Sequence, residues 1–153
     1  MKKYLLVAVA LLGTISIANA QDGFNYLMIK GGIGNKSSKN FSLALDFAGK
    51  YHSSFEISAN YFSKDSEDYK NYFLGVNYKP LLVRNKNSML KMRIGIYGGS
   101  DDKDFIFAPN LGLEFGQSLS PKVDLILSND NNYFFEAKDN WRTNIQLGFR
   151  ISI

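Results

Sequence analysis

Hydrophobic and polar positions alternate along the last thirteen residues of the chain, WRTNIQLGFRISI, at 141–153. Six of the seven residues in one parity are apolar, and none in the other parity is, so the segment has the period of a β-strand with one apolar face. At roughly 3.3 Å per residue it reaches about 43 Å, whereas a tilted strand crosses a bilayer with about 9–11 residues. We therefore predict that this segment closes a transmembrane β-barrel against the first strand.

Seven earlier segments carry the same alternation. We predict these strands at residues 24–33, 41–48, 54–62, 72–79, 89–98, 105–117 and 123–128. An even number of strands lets an up-and-down barrel close with both termini on one side. The predicted fold class is therefore all-β, an eight-stranded antiparallel up-and-down transmembrane β-barrel.

Aromatic residues lie near both ends of these apolar faces, with aliphatic residues between them. The predicted girdle residues are Phe41, Phe47, Phe55, Tyr61, Tyr72, Tyr78, Phe107, Phe115, Trp141 and Phe149. Aromatic rings favour the two membrane–water interfaces, and aliphatic chains favour the hydrocarbon. The alternative is a soluble, lipocalin-like periplasmic barrel that binds an apolar ligand. Glycines such as Gly75 and Gly112 on the opposite parity argue against it, because they weaken a solvated strand face but suit a narrow lumen.

The connections between the predicted strands alternate in character. Short turns are predicted at 49–53, 83–88 and 118–122, and longer polar connections at 34–40, 63–71, 99–104 and 129–140. Outer-membrane barrels have short periplasmic turns and longer external loops, so we expect both termini in the periplasm. Pro109 has no N–H for a strand ladder, and we expect a bulge or a strand end there.

The first residues have a basic start, a short apolar run and an Ala-x-Ala sequence ending at Ala20. This pattern is typical of a secretory signal peptide, so the predicted domains are a signal peptide at 1–20 and an outer-membrane β-barrel at 21–153. A transmembrane helix is the alternative, but the run is short and is interrupted by Gly13.

The net charge and the absence of cysteine exclude several classes of function. Removing Lys2 and Lys3 from the 18 basic residues leaves 16 against 14 acidic ones, and so small an excess indicates no nucleic-acid partner. The chain has no Cys, which excludes disulfides, thiolate metal sites and a lipid anchor at cysteine.

Together these features resemble the small eight-stranded outer-membrane barrels of the OmpA/OmpX type, and the porin-like outer-membrane β-barrel sequences of Bacteroidetes. The similar stretches are Ala20-Gln21, YFLGVNYKP at 72–80, PNLGLEFGQSL at 109–119 and the closing strand. The resemblance implies an outer-membrane location, contact with membrane lipid and lipopolysaccharide, and insertion by the barrel assembly machinery through the last strand. That strand ends on Ile153 rather than on the family's usual aromatic residue. Such proteins serve membrane anchoring, adhesion, resistance to host defence or lipid A modification, and we expect a monomer.

Candidate catalytic chemistry is sparse. His52, Ser54 and Glu56 lie at i, i+2 and i+4, so a lipid A-modifying acyl hydrolase built on a Ser–His–Glu set is one hypothesis. Their parity faces the lumen or a turn rather than lipid, which favours a plain polar turn. The acidic and amide runs at 101–104 and 129–132 lack the spacing of a calcium loop, and are interpreted as solvated loops. We expect no enzyme activity, cofactor or metal.

The inward parity carries four acids and four bases, most of them in the predicted periplasmic half. This predicted ion-pair network comprises Asp46, Glu56, Lys79, Lys91, Arg93, Glu114, Asp124 and Arg150. An eight-stranded barrel is just wide enough for its side chains to fill, and buried charges must be paired. We predict an ion-pair plug, extended by Lys30 and Arg142 toward the external mouth. The leading hypothesis is a non-enzymatic outer-membrane barrel that anchors surface loops for envelope integrity or adhesion; a small porin is the alternative.

Overall fold

A computed structural model of the protein describes residues 25–35, 38–64, 69–101, 104–135 and 140–153. Its strands are β1 (Asn25–Gly34), β2 (Ser38–Ala48), β3 (Ser54–Lys64), β4 (Tyr69–Lys79), β5 (Leu81–Arg84), β6 (Ser88–Asp101), β7 (Asp104–Ser120), β8 (Val123–Tyr133) and β9 (Trp141–Ser152). In the described part of the chain, no helical segment has the length and apolar character of a transmembrane helix. The predicted signal peptide lies outside the described residues.

The strands form one closed antiparallel barrel. Neighbours follow chain order from β1 to β4 and from β6 to β9, and the β4–β6 and β1–β9 pairs complete the circle. The short β5 continues the wall of β4, since both pair with β6 and only Pro80, which has no N–H, separates them. The barrel wall is therefore eight strands around, which confirms the predicted up-and-down architecture.

The stagger of the barrel can be counted from its paired residues. Starting at Tyr26 and passing once around through β2 to β8, the pairs reach Arg142 on β9. Tyr26 itself pairs with Ser152, so the stagger is 152 − 142 = 10 residues. With about 3.3 Å per residue and about 4.8 Å between strands, the strands tilt by about 40° and the backbone lies about 8 Å from the axis. Side chains alone fill such a lumen.

The two faces of the wall divide as the alternation predicts. In β9 every second residue from Arg142 to Arg150 is buried, whereas Ile145, Leu147 and Phe149 are at least half exposed. The ten predicted girdle residues all project outward, near one end or the other of their strands. The apolar face therefore surrounds the barrel, and the polar parity lines its inside.

Two ends of the barrel are distinguished below. The terminal end carries the start of β1, the end of β9 and the turns at 49–53, 85–87 and 121–122. The loop end is the opposite one, where β1 ends and β2 begins. At this end the strands are separated by residues 35–37, 65–68, 102–103 and 134–140. The prediction that these connections are mostly longer than the turns at the terminal end is therefore largely wrong.

The prediction for the seventh strand is also wrong, because β8 does not end at Ser128 but continues to Tyr133. Asn and Asp are uncommon in strands, so the composition of residues 129–132 predicts a loop. Alternate members of this run find partners on the two faces of the wall, and these contacts keep the segment extended. Pro109 forms no bulge with β6, where it pairs with Ile96; the ladder to β8 ends beside it, at Asn110.

Candidate functional site in the barrel lumen

Lys79, at the end of β4, is the centre of the charged cluster. Its Nζ lies 3.0 Å from carboxylate oxygens of Asp46, Glu56 and Glu114, which project from β2, β3 and β7. The contact with Asp46 is an ion pair outside hydrogen-bond geometry, since neither Asp46 oxygen has a hydrogen-bond partner among the described residues. Three carboxylates around one ammonium offset the free energy cost of burying its charge.

Arg93, on β6, links the other side of the lumen to the same carboxylates. Its guanidinium donates to both oxygens of Glu56 at 2.8 and 3.0 Å and to Glu114 at 2.8 Å. Its Nε donates to Asp130 on β8 at 2.7 Å. The donors of the planar fork point in fixed directions, so these charge-assisted bonds hold the guanidinium across the barrel axis.

A second ion pair lies nearer the terminal end. Arg150 donates from Nε and from one terminal nitrogen to Oδ2 of Asp124, at 2.9 and 2.7 Å. The Ser118 hydroxyl donates to the other oxygen of Asp124 at 2.6 Å. Arg150 also lies 3.7 Å from Asp46 and 4.6 Å from the ring centroid of Tyr26, and so connects this pair to the central cluster.

Lys91 is placed differently from the prediction, whereas Arg142 lies at the loop end. Lys91 is buried, but its Nζ donates to the Ser54 hydroxyl at 2.8 Å and makes no ion pair with a described carboxylate. Arg142 lies over the rings of Phe134 and Phe73, at 4.6 and 5.9 Å, so at the loop end it packs on an aromatic cluster. The structure brings the other seven predicted network residues together.

Lys30 reaches the same cluster from β1. Its Nζ lies 3.6 Å from Glu56, which is an ion-pair distance but too long for a good hydrogen bond. With Lys30, each of the eight strands around the barrel contributes a charged group to the lumen. Glu56 thereby meets three cations, those of Lys30, Lys79 and Arg93.

Several lumen residues escaped the sequence reasoning. Asp130 lies in a run whose composition predicts a loop, although its even-numbered parity continues that of Asp124 and Ser128 and predicts its buried position. Asn77 donates to Glu56 at 3.4 Å, and Asn110 bridges Asn77 and Asp130 at 2.8 and 3.1 Å. These amides supply neutral hydrogen bonds around the charges, which a search for charge alone does not detect.

A cluster of apolar side chains lies in the loop half of the lumen, among buried amides such as Asn60, Asn71 and Asn144. This aromatic cluster consists of Phe62, Phe73, Tyr97, Ile106, Ala108 and Phe134. Phe73 packs on Phe134 at 4.9 Å and edge-on to Phe62 at 5.5 Å between ring centroids. Gly75 makes room for the cluster, because a Cβ there would collide with the Tyr97 ring. The lumen thus holds ion pairs toward the terminal end, and a ring cluster with buried amides around it toward the loop end.

The residues of the hypothetical Ser–His–Glu set are not assembled. His52 lies in an exposed turn, where its ring contacts Arg84, whereas Ser54 accepts from Lys91 and Glu56 is bound to cations inside the lumen. Neither the hydroxyl nor the carboxylate contacts the imidazole, so these three side chains form no proton relay.

The outer face carries a polar strip at the loop half of β8 and β9. The Thr143 hydroxyl donates to Asn131 at 2.9 Å, and the Asn131 amide donates to Asn129 at 2.8 Å and to the Leu111 carbonyl at 3.2 Å. Trp141 Nε1 donates to Thr143 at 3.1 Å. The strip satisfies its own polar groups, which lowers the cost of placing amides on an otherwise apolar face.

A closed eight-stranded barrel with an apolar outside and aromatic rings toward both ends defines the class of small outer-membrane β-barrel proteins by fold. No protein-family model matches the chain, and no curated relative does. Solved structures do match.

The structure of Neisserial surface protein A superposes with a TM-score of 0.62 at 16% identity, over 87% of this chain and 98% of that one. A major outer membrane protein from Thermus thermophilus gives 0.66 at 10% identity, over 87% and 100%. The outer membrane enzyme PagL gives 0.63 at 10% identity, over 84% and 99%. At these identities the likeness establishes the fold and leaves the role to the residues.

Proposed function

We propose that the protein is a non-enzymatic outer-membrane barrel whose lumen is a plug rather than a solute channel. The observation that carries this proposal is the cluster around Lys79, Arg93, Glu56 and Glu114, whose side chains are at most 2% exposed and meet across the barrel axis. A hydrated ion entering from either mouth would have to separate these pairs. The aromatic cluster occupies part of the loop half of the lumen, and the ion pairs are the barrier on this proposal.

Planar-bilayer recording tests the plug directly. We expect the unmodified protein to insert without a stable open state, and a Glu56→Ala variant to show flickering conductance because it loses the carboxylate shared by three cations. A matched Phe73→Leu variant, which leaves the ion pairs intact, should remain closed. A stable, large, ion-conducting state in the unmodified protein would make it a small porin instead.

We place the barrel in the outer membrane with both termini in the periplasm. The support is the outer-membrane origin of barrels with the same fold and the continuous apolar outer face. Because the chain has no cysteine, a single Cys can be introduced cleanly. In intact cells an impermeant maleimide should label a Cys at Asn140, at the loop end, and not one at Lys122, at the terminal end. The reverse labelling would invert this orientation.

We further propose that the barrel serves envelope integrity or adhesion by presenting its loop end on the cell surface. Its partners on this proposal are outer-membrane lipid and lipopolysaccharide, with insertion by the assembly machinery through β9. A deletion strain should become more sensitive to detergents and bile salts, or adhere less, while its lipid A remains unchanged. Altered lipid A that a His52→Ala allele fails to restore would instead favour the acyl-hydrolase alternative.

A further inference from the structure

The terminal mouth of the barrel is a polar cavity of about 500 Å³. Its basic lining side chains are Arg84, Lys86, Lys91 and Arg150, and Asp124 is the only acid among the described residues that line it. With His52 neutral, four bases and one acid leave the lining with a net charge of +3. Asp124 is already bound to Arg150, so the positive charge of the other three bases faces the cavity.

Lys91 is the buried member of this set. The residue is 5% exposed, and its Nζ donates to the Ser54 hydroxyl at 2.8 Å without an ion pair to any described carboxylate. Lys79, by contrast, meets three carboxylates. The carboxylates of Asp46 and Glu114 act on this ammonium only from beyond ion-pair distance, so its charge is incompletely compensated and it has further donors to offer.

Arg84 and Lys86 stand at the exposed rim of the same cavity. The Arg84 guanidinium contacts the ring nitrogens of His52 at 2.6 and 2.8 Å rather than a carboxylate. His52 is held there by a turn in which it and Tyr51 adopt the left-handed backbone, with φ of 59° and 56°. Few residues other than glycine adopt that conformation, so the turn maintains the rim at a local cost.

We propose that this mouth binds a phosphoryl group, with Lys91 at the floor of the site and Arg84 and Lys86 at its rim. A phosphate monoester carries close to two negative charges, which matches a lining of net charge +3 better than a single carboxylate does. The planar fork of an arginine also fits phosphate oxygens in pairs. A water-soluble phosphate monoester and the headgroup of a phosphatidic acid share this chemistry. Binding of a phosphoryl group at this mouth does not depend on whether the lumen behind it conducts ions.

Amide chemical shifts of the ¹⁵N-labelled protein in uncharged maltoside micelles provide the test. Inorganic phosphate is titrated against sodium chloride of equal ionic strength, and dihexanoyl phosphatidic acid forms a second arm. We expect saturable shifts at Ser54 and Lys91 in at least one arm, and the arm that responds identifies the source of the phosphoryl group. Lys91→Met should weaken the response at least tenfold, and Lys122→Met, at the same end but outside the cavity, should leave it unchanged.

If Lys91→Met fails to refold, Lys86→Met at the exposed rim takes its place, with an expected weakening of about threefold. No saturable response in either arm would overturn the proposal. Equal binding by the cavity variant and by Lys122→Met would overturn it as well, because the response would then reflect general positive charge at this end.

Discussion

The terminal half and the loop half of the lumen differ in chemistry: ion pairs dominate the first, whereas the second holds an aromatic cluster surrounded by buried amides. In the terminal half Lys79, Arg93 and their carboxylate partners form a compact ionic cluster. In the loop half Phe73 and Phe134 pack against each other, and Arg142 lies over their rings. The difference shows that side chains can occupy one narrow lumen in two ways. Buried charges require partners of opposite charge, whereas rings require only complementary packing.

The outer face of the barrel also differs in polarity between its two ends, but the difference is smaller than in the lumen. Toward the terminal end the outer face of β8 is apolar, with Leu125 and Leu127, whereas toward the loop end it carries Asn129 and Asn131. These amides lie beside the aliphatic residues of β7 and bond to one another and to backbone carbonyls. On the outer face, hydrogen bonds within one small set of residues therefore compensate these polar groups.

The largest effect is expected from Glu56→Ala, in the ionic half. Removing this buried carboxylate leaves Lys30, Lys79 and Arg93 short of a partner, so the free energy of unfolding should fall by about 3–5 kcal/mol. Urea unfolding in liposomes measures it. Asp124→Ala is the matched control: its side chain is 12% exposed, so water can replace the lost partner of Arg150 and the loss should be smaller. Equal losses of unfolding free energy in the two variants would mean that water reaches both sites to the same extent.

The next effect concerns the outer face, where the two halves should behave alike at equal depth. Leu147→Arg, in the middle of β9, should lower the free energy of unfolding by about 2–4 kcal/mol, because the charge faces hydrocarbon. Trp141→Arg, on the same face at the first residue of the strand, should cost about 0–1 kcal/mol near the interface. Refolding titrations in liposomes compare the two. A cost that does not depend on depth would contradict the membrane-spanning placement of this face.

A smaller loss is expected from Phe73→Leu, in the aromatic half. Leucine keeps most of the volume and leaves no charge unpaired, so the free energy of unfolding should fall by about 1 kcal/mol, within the range of volume-conserving changes. The same liposome assay applies. A loss as large as that of Glu56→Ala would show that the aromatic cluster, rather than the ion pairs, dominates the stability of the lumen.

The smallest effect is expected from the triple variant Asn129→Leu, Asn131→Leu and Thr143→Val, which also removes the hydroxyl that donates to Asn131. Replacing both partners of a hydrogen bond with apolar groups is nearly neutral, and aliphatic side chains suit the lipid face, so the free energy of unfolding should change by no more than about 0.5 kcal/mol. A loss above about 2 kcal/mol, beyond the net worth of a typical hydrogen bond, would assign the strip a structural role. Thermal unfolding in detergent gives a second reading of the same difference.

The sequence by itself determined the wall of this barrel. A period of two is a local property, so the alternation from Trp141 to Ile151 shows which side chains face outward without knowledge of any neighbour. Strand number, inward parity and the aromatic ends follow in the same way. The same reasoning failed at residues 129–132, where polar composition outweighed a parity that in fact continues that of Asp124 and Ser128.

Only the tertiary structure decided which inward charges meet. The ten-residue stagger sets the height of every strand against the others, and it brings Asp130 to Arg93 and Glu56 to Lys79. It leaves Lys91 at the terminal mouth with a hydroxyl for a partner. Alternation carries no information about stagger, because a shift of two residues preserves every inward and outward assignment while changing every partner across the lumen.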